Sequence, residues 1–293
     1  KRLFLLALII LLSLAAGCTN SNEENGSTKA NGNENDKDKS ISIGWSGDII
    51  TLDPPDAPSI VAIGTLYNLY ETLVKYDFES SSVKPALANT WEISEDGRTF
   101  TFELNPNAKF ASGNPVTAND VKYSLDRVVK FKDAAQGFIL SNYLDEGGVT
   151  VIDEHTVEIK IKDPAPGFLA ALTAVSASIL DSKVVEEHNE NDMAQGWLNN
   201  NIAGSGPFLI EDFKRGSHIT LVKNSDYWGE EPALERISIQ FISESSQQAI
   251  LLEQGDLDLA LNLLPNQINN LESKGFNVSA GANPATYYVA LNM

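Results

Sequence analysis

Residues 1–40 cannot enter a folded core, and this sets both the compartment and the stretch of chain that has to fold. Lys1 and Arg2 open the sequence, Leu3 to Leu12 is unbroken apolar, and Ser13-Leu14-Ala15-Ala16-Gly17-Cys18 precedes an abrupt turn to polar residues. A basic start, an apolar run too short to span a bilayer and small residues before a cut site are the parts of a secretory signal. From Thr19 to Ser40 the chain is Asn, Glu, Gly, Asp, Ser and Lys with almost nothing apolar, so it cannot offset the entropy of ordering. The reading is a signal peptide at 1–17, a disordered tether at 18–40 and a folded body at 41–293. The tether lets that body sample orientations near a membrane.

Charge narrows the partners. The formal net charge is −19, and removal of Lys1 and Arg2 with the signal makes it more negative still. No cluster of Lys and Arg offers a phosphate backbone its counter-charge, so nucleic acid is excluded as a partner. The acidity reads as a solvated surface.

Period-two alternation marks strands at Ile41, Ile43 and Trp45; at Phe100, Phe102 and Leu104; at Val157, Ile159 and Ile161; at Ile237, Ile239 and Phe241; and at Leu257, Leu259, Leu261 and Leu263. Helical spacing places Val121, Leu125, Val128 and Val129 on one face of a helix over residues 119–129. Thr117 and Asp120 resemble a capping box at its start, with Asp in place of the usual Glu. A second helix is predicted to carry Ile63, Leu66, Tyr67, Tyr70 and Leu73 on one stripe. A third, over residues 245–254, ends at Gly255, a residue suited to a left-handed cap. Strands interleaved with helices and no internal repeat give an α/β body.

Several motifs read as scaffold. Asn105-Pro106 and Gly113-Asn114-Pro115 punctuate a strand, a loop and a helix start. Gly204-Ser205-Gly206-Pro207-Phe208 reads as a tight turn before a strand, with Gly204 and Gly206 permitting positive φ. A phosphate cradle would need a following helix and a Lys, and neither is there. Asp226-Tyr227-Trp228-Gly229 reads as an aromatic plug at a strand end, with Trp228 packed in the core. Catalysis finds no support: His155, His188 and His218 are widely separated, no Gly-x-Ser-x-Gly elbow occurs, and no metal-ligand tract is visible.

Cys18 is the single cysteine, so it has no internal disulfide partner. Its place after Ala15-Ala16-Gly17 resembles the lipobox of bacterial lipoproteins, although Ala15 stands where the pattern prefers Leu and Leu14 sits one place earlier. That resemblance implies acylation of Cys18 and a lipid anchor on the extracytoplasmic side of the cell membrane, in a periplasm or on the outer face.

Five ordered blocks carry a second resemblance. They are Leu52-Asp53-Pro54 with Glu71 in Tyr70-Glu71-Thr72-Leu73-Val74; the run from Pro85 to Val128; the run from Gly204 to Ile237; the segment from Leu252 to Ala260; and Tyr287 to Met293. Together they resemble the family 5 solute-binding proteins of ABC importers, the oligopeptide, dipeptide and nickel group. Asn105 departs from the family's usual Arg, and Ser112 from its frequent Asp.

The resemblance implies a periplasmic-binding-protein-like α/β fold of type II, cluster C. Lobe I is expected to be discontinuous over 41–70 and 202–293, with an inserted α/β domain II over 71–201 and lobe III absent. With no initiating Met and a stop at Asn292-Met293, the chain is expected to be the amino-terminal part of a longer coding sequence. The implied protein is a monomeric binding protein without cofactor. It captures a small solute, a peptide above all, in an interlobe cleft and passes it to permease subunits of the importer. The alternatives are a signalling-peptide or solute sensor on the same fold, and a member binding nickel, haem or a saccharide.

Carried over residue by residue, the family's ligand contacts fall on Asp56, Ala57, Pro58, Ser59 and Ile60, the stretch that lies along a bound peptide as an extra strand. Strand addition suits peptides, because main-chain bonds tolerate any side chain. Asn262, Leu263 and Leu264 match another cleft edge, and Tyr287 and Tyr288 an aromatic pair near the cleft floor. Neighbouring residues on a strand point to opposite faces, so one tyrosine at most lines the cleft. Asp56 either attracts a ligand amine or is a solvated loop carboxylate.

Overall fold

A computed structural model describes residues 39–279. Cys18, Tyr287 and Tyr288, with the signal and nearly all of the tether, lie outside the described residues. In chain order the elements are β1 (Ser40–Trp45), a single 3-10 turn at Pro54–Asp56, α1 (Ile60–Leu69), the hairpin β2 (Val74–Asp77) and β3 (Ser82–Pro85), β4 (Ala88–Ile93), β5 (Thr99–Leu104), α2 (Ala118–Lys130), β6 (Val149–Val151) and β7 (Thr156–Lys160). After several short helical turns come β8 (Phe208–Lys214), β9 (His218–Lys223), β10 (Arg236–Phe241), α3 (Ser245–Gln254), β11 (Leu259–Leu261) and α4 (Pro265–Ser273). Among the described residues no helix is long and apolar enough to cross a membrane.

Two sheets organise two cores. One sheet has the order β11-β1-β10-β9-β8, with β1 parallel to both β10 and β11 and the β10-β9-β8 side antiparallel. Its core gathers Ile219, Leu221, Ile237 and Ile239 with Leu52, Leu66 and Leu69. Val175, Leu180, Val185, Ala194 and Leu198, all within the span 71–201, also pack into it. The other sheet, β4-β5-β7-β6, is antiparallel throughout. Phe100, Phe102, Leu104, Val157 and Ile159 line its inner face against Val121, Leu125 and Val128 of α2, as period two and helical spacing require. Trp228 packs at the margin of this second core.

The capping box at α2 does double service. The Asp120 carboxylate accepts from the Thr117 N–H at 2.9 Å and the Thr117 hydroxyl at 2.6 Å. Its other oxygen accepts from the Ser182 N–H at 3.1 Å and hydroxyl at 2.6 Å. Nearby, the buried Asp181 accepts from Ser112 Oγ at 2.5 Å and Asn114 Nδ2 at 2.8 Å. An Asp at position 112 would set two carboxylates face to face, so the departure to Ser matches its partner. Asn105 closes its own turn, Oδ1 accepting from the Asn107 N–H at 3.0 Å.

Three expectations are corrected. The second helix ends at Leu69, with Tyr70 already extended and Leu73 beyond it, and its buried stripe is Val61, Ala62, Thr65, Leu66 and Leu69. The reason lies far away in sequence: the Gly206 N–H donates to Leu69 O at 3.1 Å, and the Ala203 N–H to the Tyr70 hydroxyl at 3.3 Å. Gly204 and Gly206 do not take positive φ. They are glycines because a Cβ would stand 2.1 Å from Leu69 O at position 204 and 2.5 Å from Leu69 C at position 206. Finally, the strand predicted over Leu257 to Leu263 is confined to Leu259–Leu261; Asn262 turns left-handed at φ 62° and ends it.

The two cores are joined by an ion pair out of contact with water. Arg127, near the end of α2, donates from Nη1 and Nη2 to the two oxygens of Asp53 at 2.8 and 2.6 Å, with side chains 2% and 0% exposed. Its Nε donates to Met193 O at 3.0 Å, and its guanidinium lies 4.5 Å from the centre of the Phe131 ring. Burial pushes the Asp53 carboxyl up, and the guanidinium opposes this through hydrogen bonds and charge. A second joint is Glu71, which accepts from the Tyr227 hydroxyl at 2.6 Å. Burial drives its carboxyl up to about 7, against lowering by Tyr227, the neighbouring Trp228 indole and Lys75. Its Oε2 and the Trp228 Nε1 are both buried without a hydrogen bond, so the indole dipole acts on the carboxylate without satisfying it.

Arg127→Met strands the buried Asp53 charge and is expected to lower unfolding free energy by roughly 3–5 kcal/mol, with Asp53→Asn added in the double variant recovering part of the loss. Urea melts measure both; a single-variant loss under about 1 kcal/mol would remove the pair from this role. Glu71 has a folded pKa above its ordinary 4.5, so its contribution is fully present below pH 4.5 and is lost as pH rises through about 7. Glu71→Gln is expected to flatten that part of the stability curve, a difference on the order of 3 kcal/mol between its ends. Parallel wild-type and variant curves across this window would contradict it.

Candidate functional site

The geometry that matters is set by three parallel strands. Trp45 at the end of β1 is in register with Phe241 on one side and Leu261 on the other, so β1, β10 and β11 finish along one edge. The β8–β9 turn joins them there, with the Phe241 N–H donating to Ser217 O at 2.8 Å. In open sheets with parallel strands, ligands bind outside the carboxyl ends, where successive loops part. The segments leaving this edge run from Ser46 to Ile60, from Ile242 to Glu244 and from Asn262 to Leu264. Both described segments nominated from the sequence therefore leave from the same end of one sheet.

The Asp56 to Ile60 stretch forms no paired strand: Ala57 and Ser59 are extended, between a 3-10 turn that ends at Asp56 and a helix that opens at Ile60. Asp56 closes a 3-10 turn, its N–H donating to Asp53 O at 3.0 Å, and its Oδ2 accepts from Gln195 Nε2 at 3.2 Å. Ala57 is buried and Pro58 exposed. Ser59 caps α1, accepting from the Ala62 N–H at 3.2 Å and donating to Asp48 O at 2.8 Å. Ile60 is 68% exposed at the start of α1. At the other segment, Asn262 is exposed and left-handed, Leu263 is half-buried, and Leu264 starts α4 with its N–H donating to Ser245 Oγ at 2.9 Å. A left-handed residue other than glycine is a small strain of the kind that accumulates at binding surfaces.

The nominated residues do not share one cavity. Asp56 and Pro58 line an open depression of about 580 Å³ with Arg215, Asn199 and Asn200. Arg215 ties its walls together, donating to Ile50 O, to Asn199 O at 2.7 Å and to Asn200 Oδ1 at 2.9 Å. Asn262 and Leu263 line a separate groove of about 590 Å³ along β11. A guanidinium in the first and apolar side chains in the second offer different chemistry: polar or carboxylate ends to one, apolar bodies to the other. Among the described residues no group of three His, Cys, Asp or Glu side chains is arranged to hold a metal ion.

Trp45 is a further candidate that sequence reasoning passed over. The edge of the ring comes so near α1 that a Cβ at Gly64 would stand 2.6 Å from Trp45 Cη2, and the indole N–H is buried without a partner. Around it α1 presents apolar residues outward as well as inward: Ile60 at 68% and Tyr67 at 50% exposure, with Ile50 at 60% on the preceding loop. The signal was available, since the ten residues of α1 include no charge. A helix that carries large apolar side chains outward as well as inward offers a surface for cover.

Comparison with known proteins bears on this face. The family described as "Bacterial extracellular solute-binding proteins, family 5 Middle" matches residues 82–293. The "Probable D,D-dipeptide-binding periplasmic protein DdpA" of Escherichia coli is 36% identical over 256 residues, covering 85% of this chain and 48% of that protein. The "Nickel-binding periplasmic protein" of Escherichia coli is 30% identical over 193 residues, 65% of this chain and 35% of that protein. Among solved structures, the ABC transporter-associated periplasmic binding protein DppA from Helicobacter pylori in complex with peptide STSA superposes with a TM-score of 0.72 at 27% identity, covering 80% of this chain and 48% of its own. The chain spans about half the length or less of each of these relatives.

Proposed function

We propose that this chain, which belongs to the family 5 bacterial extracellular solute-binding proteins, captures a short peptide at the carboxyl edge of β1, β10 and β11 and delivers it to the permease of an ABC importer. The observation that carries the reading is the meeting of Trp45, the outward apolar face of α1 and two independently nominated loops along one sheet edge. Apolar surface there can hold side chains of varied size, while loop N–H and C=O groups hold a main chain. The matched relatives favour a dipeptide or short peptide over nickel: the D,D-dipeptide protein is matched over more of this chain, and at higher identity, than the nickel protein. Binding without chemistry accords with the family, whose members are solute-binding proteins.

The rest of the reading follows the sequence. Residues 41–70 and 202–293 form lobe I, and 71–201 form the inserted domain II. Acylation of Cys18 holds the protein outside the cytoplasmic membrane, each buried methylene contributing about 0.8 kcal/mol of membrane affinity.

Calorimetry on the protein expressed from its complete reading frame, titrated with Ala-Ala, D-Ala-D-Ala and a tetrapeptide, is expected to give dissociation constants of roughly micromolar or tighter for at least one. Trp45→Leu is expected to weaken that binding about tenfold, near 1.4 kcal/mol. Binding of a nickel chelate with no heat from any peptide would replace the peptide assignment. Metabolic labelling with a palmitate analogue is expected to mark the protein and to leave Cys18→Ser unmarked; label on the variant would remove the anchor.

A further inference from the structure

Three residues of the span 71–201 reach successive points on the loop that leaves β1. Arg127 grips the Asp53 carboxylate, the Gln136 N–H donates to Pro55 O at 2.8 Å, and Gln195 Nε2 donates to Asp56 Oδ2 at 3.2 Å. A fourth contact continues onto α1, where the Tyr67 hydroxyl donates to Thr173 O at 3.1 Å. Gln195 belongs to the same loop that receives Arg127: Met193 O accepts from Arg127 Nε at 3.0 Å, and Met193 and Ala194 both hold positive φ. Asp53, Arg127, Met193, Gln195 and Asp56 thus form a closed ring, completed by the Asp56 N–H on Asp53 O at 3.0 Å. Charge explains the neutral amide at position 195. Asp53 feels the Asp56 and Asp192 carboxylates, with Arg127 opposing both. Gln195 satisfies Asp56 without adding to this excess, whereas Gln195→Glu would bring a fourth carboxylate.

We propose that Gln195 is a positioning residue for peptide capture: it fixes the turn at Pro54–Asp56, and with it the Asp56 to Ile60 stretch that runs on into α1. The role in capture rests on the peptide reading given above. Gln195 lines neither depression, so its effect on a ligand passes through Asp56. A loop already held in place loses less freedom when a ligand arrives, and affinity gains by that difference. The span 71–201 thereby takes a part in binding through the loop it braces.

Hydrogen exchange on the protein expressed from its complete reading frame, without ligand, reads the turn first. In Gln195→Leu the Asp56 and Ala62 amides, bonded to Asp53 O and Ser59 Oγ, are expected to exchange about fivefold faster, while Ile219 and Leu221 of β9 keep their wild-type protection. Calorimetry with Ala-Ala, D-Ala-D-Ala and a tetrapeptide is expected to show a Kd about fivefold weaker for whichever of them wild type binds. Gln195→Glu is expected to match that loss at about pH 7.5 and, relative to wild type at each pH, to regain most of it by about pH 5, where two facing carboxyls can share a proton. A side chain needed only for packing would give no such profile. Equal acceleration in β9, unchanged exchange at Asp56 and Ala62, or faster exchange there with unchanged peptide affinity overturns the proposal. So does a Gln195→Glu loss that persists at about pH 5. Wild type that takes none of the three peptides removes the peptide reading and the role in capture together, and exchange alone then decides whether Gln195 holds the turn.

Discussion

The contact on which the remaining geometry rests is the buried pair of Asp53 and Arg127. Asp53 belongs to the loop that leaves β1, and Arg127 to the last turns of a helix packed on the other sheet. Two parallel hydrogen bonds fix both distance and orientation, and the third, to Met193 O, ties in a loop in which Asn191, Met193 and Ala194 all take positive φ. Strained backbone of this kind persists only where its surroundings hold it. Because the Asp53 side chain is pinned, the turn at Pro54–Asp56 and the capped start of α1 at Ser59 are placed with little freedom. The uncovered face of α1 inherits that position.

Local chemistry was legible in the sequence wherever the cause was local. Alternation located β1, β5, β7 and β10, spacing located α2, and Gly255 ends α3 in the left-handed conformation at φ 79°. Where the cause was distant, sequence reading fell short. Nothing near Leu69 says that α1 stops there; far along the chain, the Gly206 N–H takes the Leu69 carbonyl that a further turn would use. β11 ends at one left-handed Asn whose conformation no periodicity reveals.

The candidate site was legible as segments and not as a surface. Asp56 to Ile60 and Asn262 to Leu264 were identified separately, and parallel pairing through β1 explains why they emerge at one edge. They border different depressions, one walled by Arg215 and the other by apolar residues, a division no sequence pattern announces. Trp45 alternates in the sequence like any strand residue, and only the fold brings the edge of its ring against Gly64. Residues that seemed to depart from pattern proved to be paired: Ser112 with Asp181, and Asp120 with both Thr117 and Ser182.

The near-contact of Gly204 and Gly206 with the Leu69 carbonyl has a further consequence. The polypeptide comes back to touch the place from which it set out, main chain against main chain, so the long excursion between is closed like a purse at its string. Closure entropy grows only with the logarithm of loop length. Additions or deletions in outer turns of that excursion therefore cost the parent sheet little, whereas one methyl group at the neck would force it apart.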